Sequence, residues 1–182
     1  MSIFSDDAPT FSKTMAKLEL VDHRSDTDAG LLFEQFPTYR ILSLTSRLNR
    51  QAVRILDEAC GLRLPEWRCM AMIGRHGRLN LFNISEFAGM DRAQVTRSIQ
   101  SLVERGHVLT QRDTADRRIV SAKLTRSGRR VYEKTFPIME QRQLQLLGAL
   151  SPADRKAFYR IMDNLNTALA IWEHERTSHD TS

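Results

Sequence analysis

The chain has 182 residues, of which 41% are hydrophobic and 27% charged, a composition typical of a soluble protein with one domain, or one domain plus an extension. It contains no run of 18 apolar residues, and residues 1–13 carry acids where a secretory signal needs positive charge, so neither a membrane span nor a signal peptide is expected. Two cysteines, Cys60 and Cys69, are too few for a disulfide scaffold, and we expect a cytoplasmic protein.

The N-terminal third of the chain divides into an arm and one long helix. Residues 1–30 are polar and acidic with weak apolar spacing, so we expect a mobile arm, or one that becomes ordered against a partner subunit. In residues 31–62, apolar side chains recur at three- and four-residue spacing from Ile41 to Ala59, which predicts a helix. Pro37 suits its start and Gly61 its end.

A second helix is predicted from Pro65 to Arg75, with Gly77 as its stop, and residues 79–82 could form one short strand. The start of a third helix is predicted at Asn83, because Glu86 follows three residues later as in a capping box.

The fourth predicted helix begins at Asp91, with Gln94 three residues later in the same capping arrangement, and stops at Gly106. Gly89 lies in the turn before it, where a tight corner favours a residue without Cβ. The third and fourth helices therefore form a helix-turn-helix. Residues near the N-terminal end of its second helix meet base edges in the major groove, and here they are Arg92, Ala93, Gln94, Thr96 and Arg97.

Two short strands are predicted next, at residues 107–112 and 119–124, joined by a polar connection. A hairpin directly after a recognition helix is a wing, so residues 63–124 are expected to form a winged helix-turn-helix domain. Between Asp91 and Arg130 lie ten Arg or Lys and four Asp or Glu, whereas the whole chain carries a net charge of +5. Such a concentration of positive charge is typical of a DNA-binding face, although a basic stretch alone can also be an ordinary solvated surface.

Residues 125–173 are predicted to form two long helices. Thr125 is a suitable cap for the first, and Pro137 inside it predicts a kink or break near residues 133–136. Ser151-Pro152-Ala153-Asp154 is a strong start for the last helix, whose apolar stripe reaches Trp172, and residues 174–182 are expected to be a disordered tail. The apolar faces of segments 31–62 and 125–173 exceed what a small winged core can cover, which predicts dimerisation helices in a homodimer.

These motifs, in this order, resemble the MarR family of bacterial winged helix-turn-helix transcriptional regulators. The resemblance runs from about Phe36 to Trp172 and is carried by the following motifs: Leu64-Pro65-Glu66-Trp67-Arg68, Met90-Asp91-Arg92-Ala93-Gln94-Val95-Thr96-Arg97, Leu102-Val103-Glu104-Arg105-Gly106, Asp113-x-x-Asp116-Arg117-Arg118 and Leu124-Thr125-x-x-Gly128. It implies a mainly α fold with a small β-hairpin wing, in which a winged helix-turn-helix core is joined to N- and C-terminal dimerisation helices.

The resemblance also implies roles at the wing. Arg117 matches the position at which the family's wing arginine enters the minor groove, and Asp113 or Asp116 would hold the wing shape by pairing with a nearby Arg. Arg118 is a second candidate DNA contact, because two Arg at a hairpin tip repel each other unless an anion is present. One of the two could instead be tied to Asp113 or Asp116.

The expected partners are a double-stranded DNA operator and a second copy of the chain. Gln suits adenine and Arg suits guanine, but which of the helix residues reads bases and which grips phosphate stays open. A dimer needs half-sites one helical turn apart, so the operator is expected to be pseudo-palindromic. Repression is the family's commoner mode, and we expect a repressor.

Members of the family commonly bind a small anionic or phenolic ligand between the dimerisation helices and the winged core, and then release DNA. The groups that this chain could offer there are Tyr39, Arg40, Ser43 and Arg47 on the first helix, and Trp67, Met70 and His76 on the second. Arg40 and Arg47, seven residues apart, share a helical face, and an Arg beside aromatic walls suits a carboxylate. The resemblance favours an aromatic acid, or its CoA thioester, and hence control of aromatic compound catabolism. The alternative is that Trp67 and Met70 are core residues and that Arg40 and Arg47 are solvated or paired.

The sequence bears on three other functions. Another branch of the family senses oxidants through a cysteine early in the first helix, but residues 33–44 contain none, which disfavours redox sensing through Cys60 or Cys69. A non-specific basic DNA-binding protein is the second alternative. An enzyme is not expected, because the chain has no Gly-rich phosphate loop, no Gly-x-Ser-x-Gly and no Cys-x-x-Cys. His174 and His179 are five residues apart and would not share a helical face, so no metal site and no cofactor are expected.

Overall fold

The computed structural model describes residues 32–114 and 116–179, with the side chains of residues 172–179 left aside. The predicted N-terminal arm, residues 1–30, lies outside the described residues. The described chain divides into two units on either side of Ser46, residues 32–46 and residues 47–179. The described residues form six α-helices, one short 3-10 turn and a three-stranded antiparallel sheet. The fold is therefore mainly α with a small sheet, as the sequence predicted.

In the first unit, a 3-10 turn at Phe33–Gln35 precedes helix α1, Pro37–Cys60. The predicted start is confirmed, since Pro37 is the first residue of α1. The ring of Phe33 packs against the rings of Phe36 and Tyr39, with centroids 5.7 and 4.8 Å apart. Several apolar side chains of this unit are nevertheless exposed, among them Leu42 and Leu44.

In the second unit, α1 ends at Cys60, and Gly61 follows with a φ of +62° as the predicted stop. Helix α2 spans Leu64–His76, so it begins one residue before the predicted Pro65. The earlier start is held by the carboxylate of Glu66, which accepts the backbone N–H of Arg63 at 2.8 Å. Gly77 ends α2 as predicted, with a φ of +82°.

The predictions for residues 79–83 are wrong in detail. Strand β1 covers only Leu79–Asn80, and helix α3 already begins at Leu81 and runs to Ala88. The cap is Asn80 and not Asn83, because the Asn80 side chain accepts the backbone N–H of Asn83 at 2.7 Å. Either Asn could cap a helix by its chemistry. The pairing of Leu79 with Ala122 in the sheet fixes where the strand ends and the helix begins.

The rest of the winged helix-turn-helix agrees with the sequence. Helix α4 spans Arg92–Glu104, and Asp91 caps it by accepting the N–H of Gln94 at 2.7 Å. Gly89 has a left-handed backbone in the turn before it. Strands β2, Val108–Arg112, and β3, Val120–Leu124, pair antiparallel, and the sheet order is β1-β3-β2. The predicted wing is therefore confirmed, with each strand starting one residue later than expected.

Helix α5 spans Arg126–Gly148 and begins at the predicted cap, where the Thr125 hydroxyl accepts the N–H of Gly128 at 2.9 Å. Of the kink or break predicted near residues 133–136, the break is wrong, because α5 continues through Pro137. A proline removes only one helical hydrogen bond, and the residues on either side, Thr135 and Met139, are buried and hold both halves of α5 against the core.

Helix α6 spans Pro152–His179. It has the predicted cap, since the Ser151 hydroxyl accepts the N–H of Asp154 at 3.1 Å. The prediction of a disordered tail from residue 174 is wrong as far as His179, where the helix ends. The segment 173–176 is Glu-His-Glu-Arg, and Glu and Arg are good helix formers that extend an existing helix at little cost.

The core lies between α2, α4 and the sheet. Met70 and Ile73 of α2 and Val95 and Leu102 of α4 are fully buried, with Val108 at the start of β2. Helix α5 packs closely against α2, because the ring of Tyr132 occupies the space that a Cβ at Gly74 would need, with its nearest atom 2.6 Å from that position. This packing supports α4 and the wing from one side and leaves their other side in solvent.

Candidate nucleic-acid interface

The N-terminal end of α4 presents the predicted recognition residues on one face. Arg92, Ala93, Thr96 and Arg97 are exposed and Gln94 is half-buried, whereas the opposite face of α4 is buried through Val95, Ser98, Ile99 and Leu102. The Thr96 hydroxyl donates to the backbone carbonyl of Arg92 at 2.8 Å. The Thr96 hydroxyl proton is therefore used within the helix, and toward a ligand this hydroxyl can act as a hydrogen-bond acceptor.

The wing tip is shaped by two aspartates that accept backbone N–H groups. The Asp113 carboxylate accepts the N–H of Asp116 at 3.1 Å, and the Asp116 carboxylate accepts the N–H of Arg118 at 2.9 Å. The Asp116 carbonyl also accepts the N–H of Ile119 at 2.9 Å. These bonds give the aspartates the shape-holding role that the resemblance implied, but through the backbone. Arg117 and Arg118 stand exposed at this tip.

Not all of the positive charge counted in the sequence is available to a ligand. Arg105 donates to the Gly61 carbonyl at 3.0 Å and to the Glu66 carboxylate at 3.4 Å. Arg129 donates to the Gly74 carbonyl at 3.1 Å. Both arginines remain exposed, but these bonds tie them to neighbouring segments of the domain. Among the described residues, the N-terminal end of α4 and the wing tip contribute exposed arginines that are not held in this way.

Glu66 is the buried centre of an ion-pair network that ties α2 to α4. Its carboxylate accepts from the Arg63 guanidinium at 2.6 Å and from the Ser101 hydroxyl at 2.7 Å, and it contacts Arg105. Burial alone would raise the pKa of Glu66, but the hydrogen bonds from Arg63 and Ser101 outweigh it and hold the pKa below its usual range. This network was not predicted from the sequence, although the three-residue spacing of Arg63 and Glu66 was a signal.

The base of the wing is fastened to the start of α5. The carbonyl of His107 accepts the N–H of Thr125 at 3.0 Å, and the carbonyl of Gly106 accepts the Thr125 hydroxyl at 2.8 Å. A Cβ at Gly128 would lie 2.0 Å from the His107 carbonyl oxygen. The Leu-Thr-x-x-Gly motif thus needs its glycine because α5 begins in contact with the strand that opens the wing. Burial, followed by the charge of Arg105, lowers the pKa of His107.

The residues predicted to bind an effector fall in different surroundings. Trp67 and Met70 are core residues, and Met70 is fully buried. His76 is exposed at the end of α2 and stacks on Phe87, with centroids 5.3 Å apart. Arg47 is exposed in the second unit, and Tyr39, Arg40 and Ser43 are exposed in the first. The core alternative therefore describes Trp67 and Met70, while the assignment of the seven residues to an effector site stays a prediction.

The two cysteines are free, with Cys69 buried and Cys60 partly buried. Burial raises the pKa of the Cys69 thiol to about 12, which suppresses the reactive thiolate. In the described ranges, no helix is long and apolar enough to cross a membrane. Across that same part of the chain, no group of three or more His, Cys, Asp or Glu side chains is arranged to hold a metal ion.

Comparison with known proteins points to one family. The family profile that matches is described as the MarR family and covers residues 62–120, which is the span from the start of α2 to the start of β3. The chain is similar to the HTH-type transcriptional regulator YfiV of Bacillus subtilis, at 24% identity over 106 residues. That match covers 58% of this chain and 66% of YfiV, so the chain spans a little less than two thirds of that relative's length.

Two solved structures have a similar fold. One is Bordetella bronchiseptica BpsR, described as regulated in its DNA binding by 6-hydroxynicotinic acid; it is 25% identical, with a TM-score of 0.58, and the match covers 70% of this chain and 98% of BpsR. The other is Sco3205 of Streptomyces coelicolor, a MarR family transcriptional regulator in complex with DNA. It is 20% identical, with a TM-score of 0.69, and the match covers 79% of this chain and 92% of Sco3205.

Proposed function

Since this chain belongs to the MarR family of transcriptional regulators, we propose that it acts as a homodimeric repressor that binds a pseudo-palindromic operator. In this proposal a small aromatic or phenolic acid, or its CoA thioester, releases the protein from DNA. The observation that carries the DNA-binding part is the exposure of two arginines at the start of α4 and two at the wing tip, the elements that a winged helix-turn-helix lays on DNA. They are Arg92, Arg97, Arg117 and Arg118.

In this proposal α4 and the wing contact different grooves of the DNA. Arg92, Ala93, Gln94, Thr96 and Arg97 on α4 enter the major groove, where Gln94 is suited to adenine and an arginine to guanine. Arg117, with Arg118, reaches the neighbouring minor groove from the wing tip. The backbone bonds of Asp113 and Asp116 support this role, because they fix the tip before DNA arrives and reduce the ordering that binding requires.

The homodimer is supported by apolar side chains that the isolated chain leaves in solvent. On α6 they recur at three- and four-residue spacing, and each has roughly half of its surface exposed: Phe158, Ile161, Leu165 and Leu169. A stripe of this size marks an interaction surface, and a second copy of the chain is the occupant that we propose. Light scattering tests this: Leu165→Asp should give monomers, whereas Asn164→Asp, at an exposed neighbouring position, should leave the dimer intact.

The effector proposal rests on similarity and on residue types. BpsR, whose regulator is an aromatic acid, is the more similar of the two structures in sequence. In this chain the candidates for binding the acid are the exposed side chains of Tyr39, Arg40, Ser43, Arg47 and His76. Trp67 and Met70 are core residues and do not face such a ligand in this structure. A carboxylate beside Arg40 would make a charge-assisted hydrogen bond, stronger than a neutral one.

Footprinting and release assays test the whole proposal. A footprint on DNA from upstream of the gene should protect two half-sites one helical turn apart, and a single asymmetric half-site would contradict the dimer. 6-Hydroxynicotinic acid should release the DNA more readily than the corresponding uncharged amide. Arg40→Ala should weaken release more than Arg50→Ala, another exposed arginine of α1; equal behaviour of acid and amide would contradict the carboxylate site.

A redox-sensing regulator of the same fold is the second candidate, because both cysteines are free. The burial of Cys69 argues against it, since a thiol with so high a pKa reacts slowly with oxidants. It would be revived if mild oxidant abolished DNA binding and Cys69→Ser prevented the loss.

A further inference from the structure

Phe82 is an aromatic side chain left in solvent beside the recognition helix. It is the second residue of α3, and about half of its surface, 51%, is exposed. The guanidinium carbon of Arg92 lies over its ring, 4.9 Å from the centroid, which is within the range of a cation–π interaction. Among the described residues, this is the ring contact that the structure gives Phe82.

We propose that Phe82 is a positioning residue for DNA binding: its ring orients Arg92 toward the DNA while leaving the charge of Arg92 intact. The inference rests on the proposed DNA-binding function and names a determinant of affinity that makes no base contact of its own. In this role α3, the first helix of the helix-turn-helix, helps to present α4, the recognition helix, to DNA.

The chemistry of the partner matters to this role. Arg63 and Arg105 are held by the carboxylate of Glu66, and a carboxylate cancels much of the charge of the arginine that it holds. Within residues 32–114 and 116–179, no carboxylate forms an ion pair with Arg92. A benzene ring attracts a cation through its negative face but carries no net charge. Arg92 is therefore oriented yet still fully cationic toward a phosphate or a guanine.

Local features of the sequence bring the two side chains together. Asn80 caps α3 and makes Phe82 its second residue, and Asp91 caps α4 and makes Arg92 its first. Gly89, in the left-handed conformation, makes the turn between the two helices. Both helix starts are fixed by caps, and the pairing of Leu79 with Ala122 sets where α3 begins. The ring and the guanidinium therefore meet before DNA binds.

The expected effect is modest but measurable. An exposed cation–π contact contributes about 0.5–1 kcal/mol, which corresponds to roughly a two- to five-fold change in binding constant at 1.4 kcal/mol for each tenfold. A homodimer has two half-sites, so the loss for the whole operator is roughly the square of that factor. Immobilising an arginine side chain on binding costs a comparable amount of free energy in conformational entropy. A preoriented Arg92 has already lost part of that entropy, so less is lost when DNA binds.

The test compares Phe82→Leu with Phe87→Leu in operator binding by fluorescence anisotropy. Phe87 is a matched control: it is on the same helix, its exposure is similar at 56%, and its ring stacks on His76 rather than on an arginine. Phe82→Leu should weaken operator binding by the factor above, and Phe87→Leu should not. Phe82→Tyr, which keeps an aromatic ring, should bind the operator as tightly as the wild type. In an Arg92→Ala background, Phe82→Leu should have no further effect; a further loss there would overturn the inference, because Phe82 would then act without Arg92.

A spectroscopic measurement needs no DNA. In the NMR spectrum of the free protein, the Arg92 side-chain Hε signal should be shifted upfield by the ring current of Phe82 and should return toward its usual position in Phe82→Leu. If wild type binds the operator while Phe82→Leu binds equally well, the positioning role is wrong and the proposed function stands. If wild type binds no DNA, the proposed function fails, and the NMR signal alone decides whether the ring orients Arg92.

Discussion

Gly128 is the position where a single methyl group should cost this fold most clearly. In Gly128→Ala the new Cβ would lie 2.0 Å from the carbonyl oxygen of His107, so the start of α5 must retreat by about 1 Å, and neither side is a flexible side chain. The retreat breaks two bonds of Thr125, to the His107 and Gly106 carbonyls, each contributing about 1 kcal/mol. With about 1–3 kcal/mol for overpacking, the free energy of unfolding should fall by about 3–5 kcal/mol.

Urea unfolding followed by far-ultraviolet circular dichroism measures this loss, at one fixed protein concentration because the stability of a dimer depends on it. Gly148→Ala is the matched control. It is in the same helix, its new Cβ would have no atom within 4 Å, and it should leave stability unchanged or raise it by up to about 1 kcal/mol. If the two variants differed by less than about 0.5 kcal/mol, the contact between α5 and the wing would not be the reason for this glycine.

Three further predictions concern titratable groups. Glu66→Gln should lower the free energy of unfolding by about 1–3 kcal/mol. Because the pKa of Glu66 is lowered in the folded protein, the wild type should lose this extra stability as pH falls below the ordinary carboxyl range. The variant, which has no carboxylate there, should not show this loss. The pKa of His107 is also lowered by burial, so His107 takes up a proton more readily in the unfolded chain than in the folded one. The free energy of unfolding should therefore fall as pH drops below about 6.5. NMR titration checks the pKa, and His107→Gln should flatten that part of the stability profile. In the native protein a thiol reagent should modify Cys60 well before Cys69, whose pKa is about 12; rapid labelling of Cys69 would contradict its burial.

The parts of the fold that sequence predicted are those specified by neighbours in the chain. The cap at Asp91, the left-handed Gly89 and the cap at Thr125 depend on residues within three or four positions, and all three were correct. The wing was also predicted, because its two strands and its polar connection are contiguous. Such local signals specify a helix-turn-helix with a wing almost completely.

The predictions are wrong where residues that are distant in the sequence determine the local structure. Asn80 and Asn83 are equivalent caps locally, and the pairing of β1 with β3, about 40 residues away, selects Asn80. Pro137 predicted a kink or a break, and the break does not occur, since buried Thr135 and Met139 keep α5 continuous. The count of basic residues overstated the available positive surface, since Arg105 is used by Glu66, 39 residues earlier.

The candidate site was predicted in part for the same reason. Arg92 and Arg117 follow from motif positions, but Phe82 lay in a segment predicted as strand, so its place under Arg92 could not be foreseen. Had Asn80 been taken as the cap, Phe82 and Arg92 would both have been placed at helix starts, and their proximity could have been proposed.

Operator binding by wild type and by Arg117→Ala, measured by fluorescence anisotropy on the native upstream duplex and on a scrambled one, tests the central claim most directly. We expect the wild type to prefer the native duplex by a factor of about 10³ or more at physiological salt. Arg117→Ala should bind more weakly, with a shallower salt dependence. Equal, steeply salt-dependent binding of the wild type to both duplexes would contradict an operator-specific regulator and favour a non-specific DNA-binding protein.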